Sequence, residues 1–263
     1  SPSIVTKRVT RLEDRVGVRL FERTTRRIML TREGEQLRPH LQKIVRDLDD
    51  ALDSFATIPD GITGTLRVRA PTTVNALHIG PVLGRFQASN PGVSTELVLL
   101  DRLVNPLEEG FDLSLGALPK SWPHVVDIPL CRYERVLCAA PDYLERFGRP
   151  VHPSDLTEHA CLTFLPTGTV WTFEGQAGQI DVEVHGVYSA NDVSLLHDAA
   201  LAGAGLAILN RFMVRADLAE GRLVELMPDN PPQTFWLKAL MPRGSARKPA
   251  LMALIEHLRN EYD

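Results

Sequence analysis

The side chains best suited to chemistry in this sequence are the basic ones near its start. Lys7 and Arg8 precede Arg11 by four and three residues, and Arg23, Arg26 and Arg27 cluster around Thr24-Thr25. On a helix the first set shares a face. Arginine and lysine presented there can donate to guanine O6 and N7 in a major groove or meet phosphates. Ser3 and Thr6 add hydroxyl donors to the same segment. Residues 1–46 hold 12 Lys/Arg against 5 Asp/Glu, a net charge of +7, while the remainder holds 17 against 28, a net of -11. A basic head on an acidic body points to a polyanion at one end only; a solvated basic helix face without a partner is the alternative.

Other reactive residue types are scattered. Cys131, Cys138 and Cys161 form no C-x-x-C pair and no disulfide framework, which fits a reducing cytoplasm. Cys131 and Cys138 could form a redox pair only if their Cα atoms came within about 7 Å; buried inert thiols are the simpler reading. His152 and His159 have no companion at ligand spacing, so no metal site and no cofactor is expected. There is no G-x-S-x-G and no Ser/His/Asp set, so the chain does not read as an enzyme. Gly203-Ala204-Gly205 sits between a helix pattern and a strand pattern, the reverse of a dinucleotide loop, and reads as a tight turn. No apolar run approaches the roughly 20 residues of a membrane span, and Ser1-Pro2-Ser3-Ile4 shows no signal-peptide core. A cytoplasmic protein is expected.

The elements that must carry the basic groups are legible. Ile4/Val5, Val9, Leu12 and Val16 predict an amphipathic helix over 3–16, stopped at Gly17. Leu20–Arg23 and Arg27–Leu30 predict two short strands about a Thr24-Thr25-Arg26 turn, and Thr31 predicts an N-cap followed by Glu33 and Glu35. A helix followed by a basic hairpin is the second half of a winged helix-turn-helix. Leu37, Leu41, Ile44, Leu48, Ala51 and Phe55 step by fours and threes, a heptad seam that must pack on a second chain or on its own. Pro59-Asp60-Gly61 marks a boundary.

Beyond it, strand and helix patterns alternate, the mark of an α/β domain. Strands are predicted at 66–70, 95–100, 111–115, 135–140, 160–165, 182–188, 206–209 and 235–241. Helices are predicted at 73–89, 103–110, 193–202, 212–219 and 250–261, with a short one from Asp142 or Pro141.

Three ordered runs, Thr6-Lys7-Arg8-Val9-Thr10-Arg11-Leu12-Glu13, Gly17-Val18-Arg19-Leu20-Phe21-Glu22-Arg23-Thr24 and Leu30-Thr31-Arg32-Glu33-Gly34, resemble the signature of LysR-type transcriptional regulators. The likeness continues through Glu109-Gly110-Phe111-Asp112, Ser189-Ala190-Asn191-Asp192, Ala202-Gly203-Ala204-Gly205-Leu206 and Gly221-Arg222-Leu223-Val224. It implies a partial winged helix-turn-helix at 1–34, a linker and dimerisation helix at 35–59, and a periplasmic-binding-protein-like effector domain at 64–263. Lobe I would comprise 64–138 and 241–263 and lobe II 139–240, with crossovers near Cys138–Pro141 and Leu237–Met241. Regulators of this kind begin with one further helix-turn segment, so Ser1 would lie inside the DNA-binding domain.

The resemblance implies a bacterial homodimer or homotetramer that binds double-stranded promoter DNA, with RNA polymerase as a further candidate partner. Ser3, Thr6, Lys7, Arg8 and Arg11 would make major-groove and phosphate contacts, and Arg23, Arg26 and Arg27 on the wing would meet phosphates or the minor groove. A small-molecule effector, a carboxylate or an aromatic, would lie between the lobes against strand C-termini and helix N-termini. The matching positions are Pro71, Thr72, Thr73, Val74, Asp101, Arg102, Gly116, Ala117, Leu165, Pro166, Thr167, Asn191, Asp192 and Val193; Thr72 and Thr73 read equally as helix N-caps. Trp171 could also line the crevice. One departure stands out: related chains often carry an arginine where this one has Leu115-Gly116, which removes a fixed cation and leaves Arg102 as the nearest substitute. A bilobal solute-binding protein, or an enzyme on the same fold, is the rival reading.

Overall fold

The computed structural model describes residues 2–23, 28–53, 61–72, 79–118 and 120–262. Helix α1 (Pro2–Val16) half-buries Val9 and Leu12 and leaves Thr6, Lys7, Arg8 and Arg11 in solvent. It stops where expected: the Gly17 N–H donates to Glu13 O at 2.9 Å and Gly17 takes φ 75°, a conformation that disfavours any Cβ. Strands β1 (Phe21–Arg23) and β2 (Ile28–Leu30) pair antiparallel, Phe21 opposite Leu30. Glu13 ties this hairpin to α1, its Oε1 accepting from Leu20 N at 2.8 Å and Phe21 N at 3.1 Å. Helix α2 (Arg32–Asp53) starts on the expected cap, Thr31 Oγ1 accepting from Gly34 N at 3.0 Å. The same hydroxyl donates to Arg19 O at 2.7 Å, and Leu20 is buried at the junction. The Thr24-Thr25-Arg26 turn, Arg27 and residues 54–60 lie outside the described residues. So does the Ala51 side chain, and with it the far end of the heptad seam.

Two five-stranded sheets follow. The first holds β3 (Gly64–Ala70), β4 (Val93–Leu99), β5 (Leu113–Gly116), β6 (Val125–Tyr133) and, from the end of the chain, β14 (Phe235–Pro242), in the order β4-β3-β5-β14-β6. β3 runs parallel to β4 and β5; β14 runs antiparallel to β5 and β6. Helix α3 (Gly80–Ser89) and the closing helix α7 (Pro249–Tyr262) cover it, burying Phe86, Leu251, Leu254 and Leu258.

The second sheet holds β7 (Arg135–Ala139), β8 (Cys161–Phe164), β11 (Gly186–Ala190), β12 (Leu206–Asn210) and β13 (Val224–Leu226), in the order β11-β8-β12-β7-β13. Helices α4 (Pro141–Phe147), α5 (Val193–Leu201) and α6 (Arg211–Ala219) pack on it, and β9 (Val170–Gly175) with β10 (Gly178–Glu183) forms a separate hairpin. Strands buried on both faces read as near-continuous apolar runs, as in Val136-Leu137-Cys138-Ala139, all at most 1% exposed.

Several elements differ from expectation. The chain changes sheet at Glu134 and again between Leu226 and Phe235, not near Cys138–Pro141 and Leu237–Met241. Pairing decides this: Cys138 faces Ala207 in the second sheet, and Leu240 faces Ser114 in the first. The lobe limits therefore become 64–133 with 235–262, and 135–226. The expected helix at 103–110 is one turn, closed by Glu109 N to Asn105 O at 3.1 Å; Pro106 lacks a donor and Gly110, at φ 69°, ends it. The run 182–188 is split, because β10 pairs with β9 while β11 pairs with β8. Of the helix expected over 73–89, residues 73–78 lie outside the described ones and Gly80–Ser89 is helical.

Two glycines offer a paired test of this packing. A Cβ at Gly205 would sit 2.5 Å from the Ala160 carbonyl oxygen, whereas one at Gly84, inside α3, would meet nothing within 4 Å. Gly205→Ala should cost about 1–3 kcal/mol by overpacking. Gly84→Ala should gain about 0.5–1 kcal/mol from the reduced freedom of the unfolded chain. Urea denaturation of both variants checks this.

Candidate functional site

Between the two sheets lies a cavity of about 370 Å³, lined from both lobes and from the passages joining them. Its floor is set by paired residues. Arg69 on β3 lies opposite Ser114 on β5, and Arg135 on β7 lies opposite Asn210 on β12; all four line the cavity. Aromatic and aliphatic side chains supply most of the remaining wall, among them Trp122, Phe164, Trp171 and Phe235. A mostly apolar cleft with a few placed polar groups is the usual form of a small-molecule site.

Arg69 is 5% exposed and held entirely by main chain. Its Nη1 donates to Leu115 O at 2.8 Å, and its Nη2 donates to Arg102 O at 2.7 Å and to Leu100 O. Burial pushes its pKa down to about 10, so it stays charged at neutral pH. A Cβ at Gly116 would lie 3.1 Å from Arg69 Nη1. The guanidinium thus sits beside Gly116, supplied from the neighbouring strand, and Arg102 also lines the cavity.

Arg135 donates from Nε and Nη2 to Gln233 O at 2.9 and 2.6 Å and stacks 3.6 Å from the centroid of the Phe235 ring. Burial lowers its pKa to about 10. Burial raises the Tyr133 pKa, so it remains a neutral phenol. Asp101 is held by Thr72, whose N–H donates to Oδ1 at 2.9 Å and whose hydroxyl donates to Oδ2. Arg102 pairs with Glu109 at 2.7 and 2.6 Å.

Of the expected effector contacts, Asp101, Arg102, Gly116, Ala117, Pro166, Thr167 and Val193 line the cavity, as do Pro71 and Trp171. Thr72 does not; it orients Asp101 instead. Asp192 caps α5, accepting from Ser194 N at 2.9 Å, and neither it nor Asn191 reaches the wall. Leu165 is 60% exposed and points elsewhere. Thr73 and Val74 lie outside the described residues. The sequence reading missed Arg69, Ser114, Lys120, Arg135 and Asn210. The available signal was charge or amide at the end of an otherwise apolar strand, where an α/β sheet meets its crevice.

At the other end, Thr6, Lys7, Arg8 and Arg11 are exposed on α1; Ser3 is helical and Arg23 ends β1, while Arg26 and Arg27 lie outside the described residues. Leu41, Ile44 and Leu48 on α2 are 37%, 62% and 58% exposed, while Leu37 at the start of the seam is half-buried, so from Leu41 to Leu48 the seam is open among the described residues.

A basic helix and hairpin on a long helix, joined to two α/β lobes around a cavity, define a ligand-responsive DNA-binding regulator. The chain belongs to the LysR family of bacterial transcriptional regulators. Residues 59–263 match the family described as LysR substrate binding domain, and residues 1–35 match Bacterial regulatory helix-turn-helix protein, lysR family. The chain is 31% identical over 231 residues to the probable HTH-type transcriptional regulator LtrA of Klebsiella pneumoniae, covering 87% of this chain and 75% of that one. It is 30% identical to the HTH-type transcriptional regulator DmlR of Escherichia coli, covering 100% and 86%. Among solved structures, CrgA of Neisseria meningitidis aligns with a TM-score of 0.66 at 26% identity, covering 100% of this chain and 90% of that one. Full-length AphB of Vibrio cholerae shares the fold with a TM-score of 0.69 at 21% identity, covering 99% and 90%.

Removing the Thr72 hydroxyl leaves Asp101 with one fewer partner beside the cavity. Thr72→Val should cost about 1–2 kcal/mol, and Thr72→Ser should restore most of it. Chemical denaturation of both variants measures the difference.

Proposed function

We propose that α1 and the hairpin bind double-stranded promoter DNA and that a small carboxylate or aromatic effector in the crevice controls this binding in a homodimer or homotetramer. The observation that carries the reading is the separation of a solvent-facing basic helix from a cavity between the two sheets, joined through α2. Lys7, Arg8 and Arg11 present donors without acidic partners in contact among the described residues. Phosphate contacts of this kind set affinity and salt dependence, and base-edge contacts from the same helix set preference. The effector favours one arrangement of the lobes, and the population shift passes through α2 to the spacing of the DNA-binding units. RNA polymerase would be met at the promoter. The site of action is the cytoplasm; among the described residues no helix is long and apolar enough to cross a membrane.

Two measurements test this. In fluorescence anisotropy with the DNA upstream of its own gene, Arg11→Ala in the full chain should weaken binding and lower the log–log salt slope by about 1. Unchanged affinity and slope would remove α1 from the interface. Ile44→Asp, on the exposed seam, should shift the assembly towards monomer in sedimentation velocity, since a charge at a buried heptad position opposes pairing.

A further inference from the structure

Two features of the cavity wall have no role in the fold. The first is a set of polar atoms without partners. Ser114 Oγ and Asn210 Nδ2 are both buried, at 0% and 4% residue exposure, both line the cavity, and neither has a hydrogen-bond partner among the described residues. Buried polar atoms are seldom left unpaired unless something else pairs them.

The second is the charge count. Arg69, Arg102, Lys120 and Arg135 face the cavity, with Asp101 as the acid among its lining residues. Arg102 is neutralised by Glu109. Arg69 and Arg135 are bonded to carbonyl oxygens, with no carboxylate in ion-pair contact among the described residues. Lys120 is exposed to solvent, so setting Asp101 against one of the two inward arginines leaves an excess of one positive charge in a largely apolar space, where the cost of an unbalanced charge is highest.

The arrangement is also doubled. Each lobe contributes one arginine with an unsatisfied polar neighbour on the adjacent strand: Arg69 with Ser114, and Arg135 with Asn210. We infer that the crevice is built for a small dianion, a dicarboxylate with an apolar body, one carboxylate meeting Arg69 and Ser114 and the other meeting Arg135 and Asn210. The body lies against Phe164, Trp171 and Phe235. Such a ligand meets both orphaned donors and both arginines and bridges the lobes, which a monocarboxylate cannot do. This inference rests on the reading of the crevice as the effector site.

The test is isothermal titration of the full chain with matched pairs of probes: terephthalate against benzoate, and adipate against hexanoate. Each dicarboxylate should bind at least about tenfold more tightly than its monocarboxylate counterpart, the scale of a lost charge-assisted pair. Arg135→Gln and Asn210→Leu should erase that preference, and Ser114→Ala, the smallest change, should reduce it. Thermal melts of each variant confirm that it is folded. Equal affinity within each pair, or a preference unchanged in all three variants, would overturn the dianion. Binding of neutral or monoanionic compounds that alters DNA affinity, with none by dicarboxylates, would overturn it while leaving the effector site standing. Absence of binding by all these classes would count against both.

Discussion

A guanidinium ion brings five N–H donors and a charge that burial opposes, so a protein that encloses one must arrange acceptors around it before anything else is settled. Arg69 imposes that condition here. Its donors draw in the carbonyls of Leu100, Arg102 and Leu115, which belong to the segment after β4 and to β5. One side chain from β3 therefore fixes the ends of both neighbouring strands, and these ends form one wall of the crevice. Gly116 follows from the same demand, since its missing side chain gives the guanidinium its place. The Asp101–Thr72 contact and the Arg102–Glu109 pair then fall on either side of a segment whose main chain is already committed.

The DNA-binding end depends on a smaller junction. Leu20 is the buried centre, and around it Glu13 holds the hairpin's first amides while Thr31 caps α2 and reaches Arg19. Gly34 is required there because a Cβ would fall 2.2 Å from the Leu20 carbonyl oxygen. These contacts couple the direction of α1 to that of α2. A change in the direction of the long helix is thereby passed to the basic face as a rigid displacement.

Much of this was readable in the sequence because it is local. The α1 periodicity, the Gly17 stop, the Thr31 cap and the heptad steps of α2 each involve residues within a few positions of one another. β6 escaped notice because Asp127, Pro129 and Arg132 interrupt its apolar pattern, and its pairing with β14 joins residues about a hundred positions apart. The same distance hid the site. Arg69 bonds a carbonyl 46 residues away and Arg135 one 98 residues away, and no local pattern marks an arginine as inward-facing. The loops after the strands were found because the α/β plan fixes where strands end; the strand residues behind them needed the sheet register. The lobe boundaries moved for the same reason, since both β7 and β14 are apolar enough for either sheet and only pairing assigns them.

The passage between the lobes is unusually short on one side: Glu134 alone separates the last residue of β6 from the first of β7. Arg135, the next residue, clasps Gln233 in the passage that leads back into β14, so the two connections are cross-tied. Such a brace leaves little room for sliding and confines relative motion to a rotation pivoting at that tie. Side chains close to such a pivot would sweep short arcs and keep their geometry, and those farther from it would sweep long ones. Grip and gearing are thus divided along the length of the cleft, with firm holding at the fulcrum and leverage at the lip.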